Sequence, residues 1–326
     1  MIKYLLRRLV NYTILTMLAT VFAYATSSAF MDPSRRYLGR NPPLDPASVD
    51  AILDGMGVNP KRPVLERTIA WLKRLFTEGS LGTDFSGAEV TTQIAIRAGV
   101  SLRLLIIGAL LAAIVGVTLG VWGAVRQYKL SDQIVTYASY VMLSTPTFVS
   151  GVLLMILATA FNNAIGTQAI RFSGEYTPGI TGFWPQLRDR LVHLLLPTIA
   201  MVLAGAASYS RYQRSIMLDV LGSDYIRTAR AKGATRNRAL VKHGVRVALI
   251  PMSTFFAYSF GTLLSGATFL EIVFNWAGMG QYGINAVSTA DINGLTGTVA
   301  FAAILVLFSS MLSEVLYAAL DPRVRV

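Results

Sequence analysis

Residues 104–125 read LLIIGALLAAIVGVTLGVWGAV, an uninterrupted apolar run bounded by Arg103 and Arg126. A helix rises about 1.5 Å per residue, so about 20 residues cross a hydrocarbon core roughly 30 Å thick. The run is therefore long enough to span a membrane as one helix, and it decides the fold class.

Five further stretches share this length and apolar character. They are Leu9–Phe30, Ile134–Phe161, Leu191–Ser210, Val247–Leu270 and Leu295–Ser313. Hydrophobic residues make up 53% of the 326 residues and charged residues only 14%, a balance that soluble domains with a solvated surface rarely show. The sequence predicts an all-α integral membrane protein with about six transmembrane helices.

The basic residues fall on one side of these spans. With Met1 in the cytoplasm, the inside segments are the N-terminus, 126–133, 211–246 and 321–326. They contain 16 Lys and Arg against four Asp, which accounts for the formal net charge of +12. This asymmetry predicts that both termini are cytoplasmic, and it explains the net charge without a nucleic-acid partner.

The N-terminus allows a second interpretation. It also fits a cleavable signal peptide, which has basic residues, then an apolar run, then a small-residue cleavage site. The matching features are Lys3, Arg7 and Arg8, the apolar run after them, and Ala23-Tyr24-Ala25. Because the apolar run continues past that pattern to Phe30, we favour a retained helix.

The largest polar segment, Met31–Arg97, separates the first two spans and is predicted to be extracytoplasmic. Helical spacing predicts short helices over Pro46–Met56 and Val64–Phe76. The segment is either a solvated loop packed on the membrane domain or a docking surface for an extracytoplasmic partner. The predicted divisions are 1–30 (N-terminus and first helix), 31–98 (loop domain), 99–320 (membrane core, with a long cytoplasmic loop at 211–246) and 321–326 (cytoplasmic tail).

Proline and glycine predict local features of the spans. Pro146 should kink the third span because it lacks a backbone N–H, and Ser144, Thr145 and Pro146 are candidates for lining a pathway. The fifth span is predicted to begin near Pro251. Small residues such as Gly116, Gly120 and Gly205 should allow close helix packing.

The chain has few of the side chains that usually catalyse reactions or bind metals. It has no cysteine and only two histidines, His193 and His243, so we predict no disulfide, no catalytic residue and no metal site. Few charges lie deep in the spans, which disfavours an ion-coupled secondary transporter.

The loop Arg211–Arg246 contains the most specific pattern. Ser223 or Asp224 can cap a short helix that Gly233 ends in a left-handed conformation, and Thr235 can cap a second helix. On the first helix, Tyr225, Ile226 and Ala229 are predicted to share one side, with Arg227 and Arg230 elsewhere. Such a helix could transmit force from a soluble motor, or the loop could simply bind anionic lipid headgroups.

Several segments resemble the oligopeptide and dipeptide permeases of the ATP-binding cassette importers. Residues 224–233 (DYIRTARAKG), followed by Val241–Gly244 and Ala248–Pro251, resemble the cytoplasmic "EAA" loop of that family. Strict Glu-Ala-Ala is absent, and Arg227, Thr228 and Ala229 stand in its place, as in the peptide subgroup. The resemblance extends to the following segments: Tyr4–Leu9, Gly79–Gly82, Val273–Gly280 and Leu320–Arg325.

The resemblance implies a function and a set of partners. The chain would be the B-type permease subunit of a peptide importer in a bacterial inner membrane, paired with a homologous permease in a heterodimer, with two ATP-binding subunits or domains and with an extracytoplasmic substrate-binding protein. The expected contacts with the ATP-binding subunit are Asp224, Tyr225, Arg227, Ala229, Arg230 and Gly233.

The chain has no G-x-x-x-x-G-K-[ST] phosphate loop, so ATP and Mg²⁺ are expected only in the partner subunits and no cofactor in this chain. The alternatives are a secondary transporter or channel that needs no motor, and a membrane scaffold without a transported solute. The same architecture serves peptides, nickel complexes and sugars, so the sequence leaves the substrate open.

Overall fold

Helices make up the regular structure of the described chain. The computed structural model describes residues 2–37, 42 and 44–320, without the side chains of residues 2–5, 236–237, 257–258, 260, 262 and 265. Within this part the β-structure is limited to an isolated antiparallel bridge between Thr83 and Glu89. The predicted all-α class is therefore confirmed, while the tail from Asp321 onward, including most of the Leu320–Arg325 segment, lies outside the described residues.

Five described helices are long and apolar enough to cross a membrane. They contain the segments Leu6–Phe30, Val90–Val125, Thr147–Ile165, Phe183–Leu221 and Ile292–Leu320. The predicted fifth span, Val247–Leu270, lies inside a further helix, Arg246–Val273. The chain is thus a multi-pass membrane protein.

The described residues divide into two compact units. The loop unit comprises residues 2–102 and 277–307, and the core unit comprises 103–276 and 308–320. The loop unit contains α1 (Ile2–Phe30), α2 (Pro46–Met56), α3 (Val64–Glu78) and the first part of α4 (Val90–Val125). The core unit continues α4 and contains α5 (Leu130–Ser144), α6 (Thr147–Ile165), α7 (Phe183–Leu221), α8 (Asp224–Ala231), α9 (Arg236–Ala239) and α10 (Arg246–Val273). The loop unit also contains α11 (Met279–Ser288) and the first part of α12 (Ile292–Leu320), whose last part, from Phe308, belongs to the core unit.

The loop unit is built around an aromatic pair. Trp71 of α3 stacks on Tyr24 of α1 with ring centroids 4.8 Å apart, and the Trp71 indole N–H donates to the Leu81 carbonyl at 3.1 Å. Burial of two large rings with a satisfied N–H is strongly stabilising. The two short helices predicted for this unit are also confirmed. The helix α2 has the predicted bounds, Pro46–Met56, and α3 starts at Val64 as predicted but ends at Glu78 rather than at Phe76.

An apolar stripe of α3 is exposed. Leu65 and Phe76, which the helical spacing places on one face, are 72% and 75% exposed. The opposite side buries Arg67, whose guanidinium donates to the Ser28 carbonyl at 2.8 Å, and burial lowers its pKa. The described residues thus leave this apolar stripe of α3 uncovered.

The predicted third span is broken rather than kinked. Thr145 (φ −97°, ψ 121°) and Pro146 (φ −56°, ψ 141°) have extended backbone, so α5 ends at Ser144 and α6 begins at Thr147. The residue before a proline is pushed out of the helical region, which explains why the break includes Thr145.

Two other expectations about helix ends require correction. Pro251 does not start the fifth span but lies inside α10, and a π-helical turn, Leu240–Val245, joins α9 to α10 without interruption. In addition, α7 continues past Ser210 to Leu221, so the non-helical part of the 211–246 loop begins at Gly222.

Glycines allow α7 to approach α4 closely, as predicted. A Cβ atom at Gly116 would lie 2.5 Å from the Tyr209 Cβ, and one at Gly120 would lie 2.6 Å from the Ser210 carbonyl oxygen. Both distances are shorter than real Cβ contacts, so any larger residue would separate the helices. Small residues at a membrane helix interface serve this purpose.

Candidate functional site

The loop between α7 and α10 contains the predicted coupling helix. It is α8, Asp224–Ala231, preceded by Ser223 in extended conformation. Gly233 has φ +88°, and the Ala234 N–H donates to the Ala229 carbonyl at 3.2 Å. The predicted left-handed glycine after the helix is therefore confirmed, a conformation that costs glycine little.

The three residues predicted to share one side of α8 differ in burial. Ile226 is buried at 6% exposure, whereas Tyr225 is 41% exposed and Ala229 is half-buried. Consecutive residues of a helix are about 100° apart, so burying Ile226 turns the ring of Tyr225 outward. Sequence spacing alone does not show which of the two apolar side chains enters the core.

Ile226 anchors α8 on the core unit. It belongs to the α8 core, a buried cluster whose members come from α4, α7, α8, the π-helical turn and α10. They are Ala124, Met217, Val220, Ile226, Leu240 and Ala248. Because α8 is only about two turns long, this single aliphatic side chain sets its position.

The polar side chains of α8 face away from that core. Asp224 and Arg227 have side chains 95% and 76% exposed, 3.5 Å apart, and Arg230 is also exposed. An exposed ion pair of this kind adds little stability. Together with Tyr225 these residues form the outward surface of α8, available to another molecule.

A charged pair connects α7 to α5 at the same end of the core unit. The Arg214 guanidinium donates two hydrogen bonds, both 2.7 Å, to the two carboxylate oxygens of Asp132. The Asp132 side chain is 3% exposed and that of Arg214 26% exposed. The Tyr128 N–H also donates to Asp132, at 3.0 Å. A bidentate, charge-assisted contact therefore joins α7 to α5.

The break between α5 and α6 opens onto a cavity of about 270 Å³. Thr145 and Pro146 line it, whereas Ser144 is absent from its lining and is exposed. The Ser144 and Thr145 hydroxyls donate to the Tyr140 and Val141 carbonyls at 2.9 and 2.8 Å. We call this space the helix-break cavity.

The segment between α6 and α7 carries a second polar cluster. Asp189 accepts hydrogen bonds from Arg171 at 2.6 Å and from the Thr177 N–H at 2.6 Å. Glu175 binds both Arg103 and Arg190. These contacts fold the segment against the start of α7, next to a cavity of about 560 Å³ that the buried His193 also lines.

Comparison with known proteins identifies the family. Residues 116–326 match the sequence profile described as "Binding-protein-dependent transport system inner membrane component". The chain belongs to this family. The matched region includes the helix-break cavity and the whole of α8.

Individual relatives extend the similarity beyond the matched region. The chain is 47% identical to the oligopeptide transport system permease protein of Mycobacterium tuberculosis, over the full length of both. It is 30% identical to an oligopeptide transport system permease protein of Bacillus subtilis, over 99% of both chains. It is 31% identical to the glutathione transport system permease protein of Pectobacterium atrosepticum, over 100% of this chain and 99% of the relative. The similarity therefore includes the loop unit, and it places the chain in the oligopeptide and dipeptide group of permeases.

Two structural residues of the site, and the burial of a third, were not predicted from the sequence. Asp132 and Arg214 lie far apart in the chain, and no local pattern pairs them. Ile226 offered a signal, since it is the only large aliphatic residue in the polar segment Asp224–Ala231.

Proposed function

We propose that this chain is the peptide-conducting permease subunit of an ATP-driven importer, with α8 as the element that couples it to an ATP-binding partner. The family membership supports transport that depends on a binding protein, and the relatives named for oligopeptide transport support a peptide substrate. Family membership also favours this function over the motor-independent transporter and the scaffold.

The observation that best supports a coupling role is that α8 has one buried side and one exposed side. Its inner side holds Ile226 in the α8 core, while its outer side presents Tyr225 and Arg227. A partner that displaces the outer surface must therefore displace the cluster that includes Met217 and Val220 of α7. Binding energy at α8 can in this way bias two arrangements of the helices.

We place the remaining parts as follows. The chain crosses the inner membrane six times with both termini and α8 in the cytoplasm, pairs with a homologous permease, and relies on two partner subunits for ATP and Mg²⁺. The loop unit is extracytoplasmic and receives the substrate-binding protein, in line with the exposed apolar face of α3 at Leu65, Ile69 and Phe76. Rim contacts of protein interfaces are polar, but their centres are apolar.

Gly233 provides a sharp test of the coupling role. A Cβ atom at Gly233 would meet no atom of the described residues within 4 Å, so they leave space for a bulky substituent. Gly233→Asn keeps the left-handed backbone, which asparagine tolerates, whereas Gly233→Trp adds bulk. If a partner approaches this glycine, Gly233→Trp should lower uptake and peptide-stimulated ATP hydrolysis by at least tenfold relative to Gly233→Asn.

Two controls accompany this test. Membrane insertion of both variants, measured by protease protection, should equal that of the original chain. A crosslinker placed at Tyr225 should capture the ATP-binding subunit in the functional complex. Equal activity of the Trp and Asn variants, together with failure of the crosslink, would exclude α8 as the coupling element.

A further inference from the structure

The helix-break cavity lies between α5, α6, α7 and α10, all in the core unit. Its described lining includes Thr145 and Pro146 at the break, Ser208 and Tyr209 of α7, and Ser259 and Gly266 of α10. We propose that this cavity is the site within the membrane where the permease holds the main chain of a passing peptide, by neutral hydrogen-bonding groups and without ion pairs. The proposal rests on the proposed function.

The cavity lies near the middle of its helices. Pro146 follows the whole of α5, which starts at Leu130, while Tyr209 and Ser259 lie well inside α7 and α10. The rise of an α-helix places these three residues roughly 18–24 Å from the helix ends on the α8 side. A hydrocarbon core about 30 Å thick therefore contains the cavity.

The broken helix supplies polar backbone at this depth. Thr145 and Pro146 are extended, and the Val149 and Ser150 N–H groups donate to the Pro146 carbonyl. The N–H groups that α6 leaves without a helical acceptor are therefore those of Thr147 and Phe148. Polar backbone within a membrane is tolerated where it lines a cavity rather than lipid. The Thr145 hydroxyl donates to the Val141 carbonyl and keeps its lone pairs for an incoming N–H group.

The opposite wall of the cavity carries hydroxyl groups. The Tyr209 and Ser259 oxygens are 2.6 Å apart. The Ser259 hydroxyl also lies within hydrogen-bond distance of the Phe256 carbonyl, at 3.1 Å. The hydrogen bond between Tyr209 and Ser259 fixes Tyr209 beside Ser208, which lines the same space.

The chemistry of this lining matches a peptide backbone. None of the described lining residues is charged, so the cavity offers no ion pair to a particular peptide side chain. Neutral hydrogen bonds contribute only about 0.5–1.5 kcal/mol each. A site of this kind holds the N–H and C=O groups that all peptides share, and it releases them readily.

The size of the cavity indicates how the peptide passes. Pockets that enclose a whole drug-sized ligand measure about 300–1,000 Å³, and this one measures about 270 Å³. It can hold a short stretch of chain but not a folded oligopeptide. The peptide therefore passes in extended form, a short stretch at a time.

Because the chain contains no cysteine, single cysteines in it can be labelled selectively. We would reconstitute the full importer with Ser208→Cys and follow labelling of this subunit by a charged methanethiosulfonate reagent during turnover. A transported peptide should slow labelling at least fivefold. The same peptide with N-methylated main-chain amides should protect less. Ser215→Cys, at an exposed serine of α7 outside the cavity lining, is the matched control and should show no protection.

A second variant tests the cavity by filling it. Ser208→Phe should lower peptide uptake at least tenfold while the loaded binding protein still stimulates ATP hydrolysis, because α8 and its core are unchanged. Leu203→Phe, on α7 and outside the cavity lining, should transport normally. Normal uptake by Ser208→Phe, or equal protection at both cysteines, would overturn the proposal. Equal protection by the N-methylated peptide would overturn recognition of the main chain. Failure of the proposed function itself would appear differently, as absence of ATP-dependent peptide uptake in the unmodified importer.

Discussion

The loop unit and the segment 222–245 both connect long apolar helices, yet they are fixed in different ways. In the loop unit, hydrogen bonds join positions far apart in sequence. Asp291 accepts from the Phe85 N–H at 3.0 Å, Asn293 donates to the Thr83 carbonyl at 2.9 Å, and the Tyr282 hydroxyl donates to Asp84 at 3.2 Å.

The segment 222–245 lacks such long-range bonds among its described side chains. Its side-chain hydrogen bonds are local, as from Thr228 to the Asp224 carbonyl and from Arg227 to the Gly222 carbonyl. Ile226 and the other apolar side chains of the α8 core hold it in place. Directional bonds to distant residues give a rigid platform, whereas non-directional apolar contact permits sliding and rotation. The difference agrees with the roles proposed above, namely partner docking for the loop unit and coupling for α8.

Trp71→Ala should have the largest effect. It removes the stacked indole and leaves a cavity in the loop unit, which costs about 3–5 kcal/mol. Proteolysis between α2 and α4 in the purified importer should accelerate by at least a hundredfold, while Phe76→Ala, on the exposed face of α3, should change it little. Similar rates for the two variants would show that the aromatic pair does not hold this unit.

Ile226→Ala tests the apolar anchor. Truncating this buried side chain should cost about 2–4 kcal/mol locally, and it should loosen α8 without unfolding the membrane helices. We expect peptide-stimulated ATP hydrolysis and uptake to fall together by at least tenfold. Thr228→Ala, which removes an exposed hydroxyl on the same helix, should retain both activities. Retention of both activities in the Ile226→Ala variant would contradict the anchoring role.

Asp132→Asn tests the connection between α7 and α5. The substitution leaves the Arg214 charge without its carboxylate, and because Arg214 is partly exposed we expect a cost of about 2 kcal/mol. Arg214→Lys keeps the charge but loses the bidentate geometry, so it should be affected less. Thermal unfolding of the purified complex measures both, and an unchanged midpoint for Asp132→Asn would show that the pair is dispensable.

The smallest effect is expected from pH in the loop unit. Burial raises the pKa of Asp291 above the usual carboxyl value, although the Gly294 and Phe85 N–H groups partly oppose this. The folded loop unit therefore holds this proton more tightly than the unfolded chain, and stability should fall as pH rises above about 4 and through the raised pKa. Asp291→Asn should flatten this part of the profile of unfolding temperature against pH. An equally steep profile in that variant would assign the dependence to another group.

The sequence predicted the local features of the fold well. Helical spacing identified α2 and α3. Ser223 and Gly233 identified the ends of α8, although Ser223 makes no side-chain cap hydrogen bond and its hydroxyl donates to the Val220 carbonyl instead. Such features depend on neighbouring residues, so they can be read from short segments. The apolar runs likewise identified most of the long helices.

Features that depend on distant residues were missed. Pro146 breaks its helix, whereas Pro197 and Pro251 lie inside continuous helices, and the sequence around a proline does not separate these outcomes. The pairing of Asp132 with Arg214 and the burial of Ile226 in place of Tyr225 are decided by packing between helices. These are the contacts that build the site, which is why the site was harder to predict than the fold.

The π-helical turn Leu240–Val245 has a consequence for α10. A π turn contains roughly one residue more than an α turn, so this stretch stores a spare residue just ahead of a long helix. Deleting one residue there would restore regular winding and leave the downstream helix in register. Inserting one residue midway along α10 would instead rotate the rest of that helix by about 100°. The turn can therefore absorb a change of length that the helix beyond it cannot.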